Sequence, residues 1–156
     1  MFTGIIQAIG RIAAIESGEE DIRLHIDTGK LPLAGVSLGD SIATSGVCLT
    51  VTELPGDGFW ADVSPETLSL TTLGGKGIGD AVNLETSLTL QTALGGHLVS
   101  GHVDGVGRVE RIVEDARFWR VTIAAPENLA RYIAHAGQGE CRLLAGLTAD
   151  NIIAMA

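Results

Sequence analysis

The stretch Gly95-Gly96-His97-Leu98-Val99-Ser100-Gly101-His102-Val103-Asp104-Gly105-Val106-Gly107 decides how the rest of the chain is read. It holds five glycines and two histidines in thirteen residues. Glycine weakens strands, so a cluster of this density marks close backbone approach, a bulge or a tight bend. The stretch is also a copy of the N-terminus. Ser100 to Val109 lies over Thr3 to Ile12 at an offset of 97 residues, with Gly4/Gly101, Gly10/Gly107 and Arg11/Arg108 identical. At the same offset Asp21 to Ile26 falls on Phe118 to Ile123, matching Arg23 with Arg120. Two matching patches at one offset are hard to obtain by chance, so a second module begins near Leu98. A period of this length indicates a duplicated domain and not a solenoid.

The pattern between the two copies is that of strands. Ile22, Leu24 and Ile26 alternate with Arg23, His25 and Asp27, and Val47, Leu49 and Val51 alternate with Cys48, Thr50 and Thr52. Such alternation predicts half-buried antiparallel strands. Further strands are expected over Ile5–Ile15, Phe59–Val63 and Ala81–Leu84. Glycine turns separate them, as at Ser45-Gly46 and Pro55-Gly56-Asp57-Gly58. About six strands in the first ~90 residues suit a small Greek-key barrel. Helix is expected at Pro65–Leu68, capped by Ser64, and over Pro126–Ile133.

The second copy departs from this plan. It has 59 residues, Leu98 to Ala156, against 97 for the first. After Gly137 the alternation is lost, and Gly146-Leu147-Thr148 only faintly echoes the Gly46 strand. The tail reads as truncated or scrambled, as from a shifted reading frame.

Composition narrows the function. The net charge of −9 argues against nucleic acid and anionic membranes as partners. The two cysteines, Cys48 and Cys141, predict no disulfide framework and a reducing, cytoplasmic setting. Met1–Gln7 has no basic n-region, so no signal peptide is expected. No apolar run is long enough for a membrane span. The scattered cysteines and four histidines show no metal-ligand spacing.

The set Met1-Phe2-Thr3-Gly4-Ile5-Ile6, Gly46–Thr52, Pro65-Glu66-Thr67-Leu68, Asn83-Leu84-Glu85 and Gly95–Gly105 closely resembles riboflavin synthase, the two-barrel lumazine-binding family. The likeness runs from residue 1 to about 137. It implies an all-β fold of tandem six-stranded Greek-key β-barrels with the second barrel truncated. The expected domains are an N-terminal lumazine-binding barrel, 1–96, and an incomplete C-terminal one, 97–156. It implies dismutation of two molecules of 6,7-dimethyl-8-ribityllumazine to riboflavin and 5-amino-6-ribitylaminouracil, without metal or organic cofactor. A non-catalytic lumazine or flavin binder that has lost its second half-site is the alternative. The partners it implies are the lumazine substrate, further copies of the chain and lumazine synthase. The family is a trimer; a dimer is the alternative for a shortened chain.

By motif, the resemblance places ligand contacts at Gly4, Ile5, Ile6, Cys48, Leu49, Thr50, Asp62, Val63, Ser64, Glu66, Thr67, Gly101, His102 and Val103. Glycine at positions 4 and 101 lets backbone approach a flat heterocycle, and a ribityl chain wants hydroxyl and carboxylate partners such as Thr50, Ser64, Glu66 and Thr67. His102 suits proton transfer near neutrality, and Cys48 is a candidate nucleophile or polariser. Each has a plainer reading. Cys48 alone would be a small buried hydrophobe. His97 reads as a buttress of the glycine turn, Arg11 and Arg108 as structural, and His25 and His135 as surface residues. The family's lysine before the Gly137 position is Ala136 here.

Overall fold

The computed structural model describes residues 1–18, 21–96, 98–116, 118–133 and 152–155. Strands β1 (Ala8–Ser17), β2 (Ile22–Asp27), β3 (Ser41–Thr44), β4 (Val47–Thr50), β5 (Gly58–Val63) and β6 (Ala81–Thr86) form one antiparallel sheet in the order β4-β3-β6-β1-β2-β5. Its two ends meet. Thr52 N–H donates to Trp60 O at 2.8 Å and Trp60 N–H to Glu53 O at 3.0 Å, closing the sheet into a barrel. Closure removes the exposed edges that an open sheet would present.

The alternation read in the sequence sets the interior. Leu24 and Ile26 of β2, Val47 and Leu49 of β4, and Phe59, Ala61 and Val63 of β5 are buried together with Ile12, Ile42, Val82 and Leu84. Helix α1 (Pro65–Leu70) follows β5. Ser64 caps it, its Oγ accepting from Thr67 N–H at 3.2 Å. A 3-10 turn, Thr72–Gly75, then adds buried Leu73 to the core.

Beyond residue 98 the first module's ladder recurs. Strand β7 (Gly105–Asp115) pairs with β8 (Phe118–Ala124). Ile12↔Ile26 becomes Val109↔Ile123, and the irregularity between Ile12 and Ala14 recurs between Val109 and Arg111, each shifted by 97 residues. A bulge conserved between the copies is part of the design of this strand pair. Gly4 and Gly101 share positive φ values of 77° and 79°. Strand β9 (Ile152–Met155) pairs with β7 from Gly105↔Met155 to Arg108↔Ile152, where β6 pairs with β1 from Ala8↔Leu84 to Arg11↔Ala81. β9 therefore takes the ladder position of β6.

Several expectations shift. The first strand starts at Ala8 and not Ile5, because Gly4 turns the chain with a φ of 77° and Phe2 before it pairs with Val99. β4 ends at Thr50, with Thr52 and Glu53 turned to meet Trp60. The second helix is only α2 (Glu127–Ala130), with Pro126 at its N-cap and no side-chain cap bond to extend it. β9 is apolar throughout, so no period announced it. His97, His135, Ala136, Gly137, Cys141 and Gly146–Thr148 lie outside the described residues.

Candidate functional site

A cavity of about 260 Å³ opens where three segments meet. Val47 and Cys48 come from β4; Glu66, Thr67 and Leu70 come from α1, followed by Thr71; Gly101, His102 and Val103 come from the glycine-rich stretch. The wall is mixed: apolar Val47, Leu70 and Val103 beside a carboxylate, two threonine hydroxyls, an imidazole and a thiol. Ligand sites have this make-up, an apolar surface with a few placed polar groups.

Local sequence explains each wall. The parity that buries Val47 and Leu49 turns Cys48 outward, where it is half-buried with a free thiol. The Ser64 cap starts α1 beside β4 and carries Glu66 and Thr67 onto the rim; the Ser64 and Thr67 hydroxyls lie 3.1 Å apart. Gly101 O accepts from Cys48 N–H at 2.9 Å, which docks the glycine-rich stretch on β4. A Cβ at Gly101 would lie 2.9 Å from Phe2 Cε2 and 3.0 Å from Cys48 Cβ, so only glycine fits. His102 is exposed, and its N–H donates to Ser100 Oγ at 3.2 Å.

The cavity gathers Cys48, Glu66, Thr67, Gly101, His102 and Val103 from the expected contacts. Leu49 and Val63 point into the barrel, 3% and 1% exposed, because they share the inward parity of their strands. Asp62 is on the outer face, where its Oδ1 accepts from Arg23 Nε at 3.2 Å. Thr50 is exposed and Ser64 is held as the helix cap; neither lines the cavity. Gly4 and Ile6 line a separate, much smaller cleft, and Ile5 is half-exposed. Leu70 and Thr71 line the cavity without having been singled out in the sequence, since they carry no motif of their own, and Val47, part of the Gly46–Thr52 motif but not expected as a contact, lines it too.

Two other features differ from the sequence reading. His25 is not a free surface residue: its ring stacks on Trp60 at 4.9 Å, and its Nε2 sits 3.4 Å from Asp57 Oδ1 without hydrogen-bond geometry. Arg23 joins Glu53, Asp62 and Glu16 at 3.0, 3.2 and 3.4 Å and lies over the Trp60 ring. The hydrogen bond that Arg23 donates to Glu53 is the first of the causes that raise the Arg23 pKa, ahead of the charges of Glu53, Asp62 and Glu16. Among the described residues, no group of three or more His, Cys, Asp or Glu could hold a metal ion. No helix among them is long and apolar enough to cross a membrane.

Fold and cavity together define a duplicated, ligand-binding β-barrel. The lumazine binding domain family matches residues 3–87. Riboflavin synthase of Photobacterium leiognathi is 47% identical over 137 residues, covering 88% of this chain and 63% of that protein. That of Brucella abortus is 44% identical, with 88% and 70% covered, and that of Bacillus subtilis 37%, with 97% and 72% covered. The crystal structure of LumP complexed with riboflavin aligns with a TM-score of 0.73 at 31% identity, over 85% of this chain and 72% of that one. LumP complexed with 6,7-dimethyl-8-(1'-D-ribityl) lumazine gives 0.70 at 30% identity, over 85% and 71%. The chain belongs to the lumazine-binding, riboflavin synthase family. It spans 63% of the length of the riboflavin synthases of Photobacterium leiognathi and Photobacterium phosphoreum.

Proposed function

We propose that the chain acts as a riboflavin synthase, binding 6,7-dimethyl-8-ribityllumazine in the cavity between β4, α1 and residues 101–103. The observation that carries this reading is the meeting of His102 and Gly101, from the second copy of the leading segment, with Cys48 and Glu66 of the first barrel. Backbone and apolar walls suit the flat heterocycle. Glu66 and Thr67 suit the ribityl hydroxyls.

The cavity is somewhat smaller than the ~300–1,000 Å³ pockets that enclose drug-sized ligands. One ligand therefore lies partly outside it, where a second lumazine on a neighbouring copy could stack against it. An oligomer, a trimer by family analogy, would supply that wall. Lumazine synthase is the proposed upstream associate, and the cytoplasm the proposed location.

The reaction moves a four-carbon unit from one lumazine to the other. Both carbon acid and electrophile are in the substrates, so alignment does most of the work, up to ~7–11 kcal/mol when ideal. His102 handles the proton of the C7 methyl group, and Cys48 assists as nucleophile or polariser at C7.

The test is to mix intact purified protein with 6,7-dimethyl-8-ribityllumazine and follow ligand fluorescence and riboflavin together. Riboflavin formed in proportion to protein supports the synthase. Saturable binding without riboflavin would favour the lumazine-binding alternative, and no binding would sink both.

A further inference from the structure

We propose that Glu85 is a positioning residue for this cavity: it clamps the leading segment of the first module, which in turn holds Gly101 and His102 in place. The proposal rests on reading the cavity as the lumazine site.

Glu85 sits on β6 after Leu84, which points into the barrel and is 0% exposed. Strand parity sends Glu85 outward, yet it is only 3% exposed. Phe2, Thr3 and Gly4 cover it. A buried carboxylate is costly unless its oxygens are hydrogen-bonded. Oε1 accepts from Thr3 N–H and, at 2.6 Å, from Thr3 Oγ1; Oε2 accepts from Gly4 N–H at 3.0 Å. All three donors belong to two consecutive residues, so the carboxylate holds one short piece of chain.

That piece leads to the cavity. Phe2 and Val99 exchange backbone hydrogen bonds at 2.8 and 2.9 Å. The Phe2 ring abuts Gly101, whose carbonyl receives Cys48 N–H and whose neighbour is His102. Glu85, Phe2, Gly4, Val99 and Gly101 line one small cleft of about 10 Å³. That is room for a single water at most. Glu85 thus cannot meet the ligand and acts through the segment it holds.

The test uses the full chain with Glu85→Gln, which keeps the shape but sets an amide donor against the backbone donors, and with the milder Thr3→Val. Residue-resolved hydrogen exchange is read without ligand, and affinity by titration with 6,7-dimethyl-8-ribityllumazine. Amides of Phe2, Val99 and Cys48 are expected to exchange at least about tenfold faster while those of Leu24 and Ile26 hold. Affinity is expected to fall at least about fivefold. Unchanged exchange in both variants, uniform acceleration across the barrel, or local acceleration with unchanged affinity would overturn the proposal. The exchange pattern needs no ligand, so a wild-type protein that binds no lumazine would sink the functional reading while the clamp is still decided by exchange.

Discussion

Phe2 and Val99 occupy the same position in the two repeats, and they pair with each other through two backbone hydrogen bonds of 2.8 and 2.9 Å. The leading segment of the second module therefore leaves its own strand β7 and docks on the first barrel. There Val103 packs against the first core and Gly101 against Cys48. A boundary drawn at residue 96 falls before this docked segment, so a fragment ending there would lack one wall of the cavity.

Gly101→Ala follows directly from that docking. The residue has φ of 79°, and a Cβ would press on Phe2 and Cys48. Left-handed backbone at a non-glycine residue costs on the order of 1–3 kcal/mol. Urea unfolding should show a loss of at least that size, and lumazine binding should weaken with it. A variant as stable and as tight as wild type would show that the segment does not need this geometry.

His102 and Cys48 should separate from the binding residues in kinetics. For His102→Gln we expect turnover to fall by ~10²–10⁴-fold, the usual worth of a placed proton-transfer group. Ligand affinity should change only slightly. Cys48→Ser keeps the backbone bond to Gly101 and should retain binding while lowering turnover. Steady-state kinetics with parallel fluorescence titration distinguishes these outcomes from loss of the site.

Ser64→Ala removes the cap of α1, whose loss costs ~0.5–2 kcal/mol in comparable helices. Here the effect should extend to function, because α1 carries Glu66 and Thr67 to the cavity rim. Chemical denaturation measures the first effect and lumazine titration the second. Ser64→Asp, which can also cap, should restore both.

Arg23→Gln tests the charged patch on the outer face. Its neighbours raise the Arg23 pKa, with the Glu53 hydrogen bond first among the causes. A raised folded-state pKa contributes stability that is complete below the unfolded value and is lost only as pH rises through the higher one. Arginine is charged throughout ordinary working conditions, so the difference in Tm between wild type and variant should stay flat from about pH 6 to pH 10. The groups are partly exposed, so added salt should shrink that difference. A steep pH dependence in this window would mean that another group controls the patch.

The repeat and the strands of the first barrel were legible in the sequence alone. Alternation at Ile22–Asp27 and Val47–Thr52 is enough to assign inward and outward faces, because strand side chains repeat every two residues. The cap at Ser64 was legible for a similarly local reason, whereas the positive φ of Gly4 and Gly101 is a finding of the structure. The family motifs placed Leu49, Val63 and Asp62 among the ligand contacts, but Leu49 and Val63 face the core and Asp62 the outer surface, because adjacent strand positions face opposite ways. Long-range packing puts Val63 in the core and brings Cys48 to His102. It also decided that Glu85, outward by parity, is buried by a segment more than 80 residues away. β9 was illegible because four apolar residues carry no period; its identity as a strand comes from the β7 ladder. Local sequence sets backbone conformation and face, whereas the cavity depends on where the repeat folds its second leading segment, a long-range choice made by packing and closure of the first barrel.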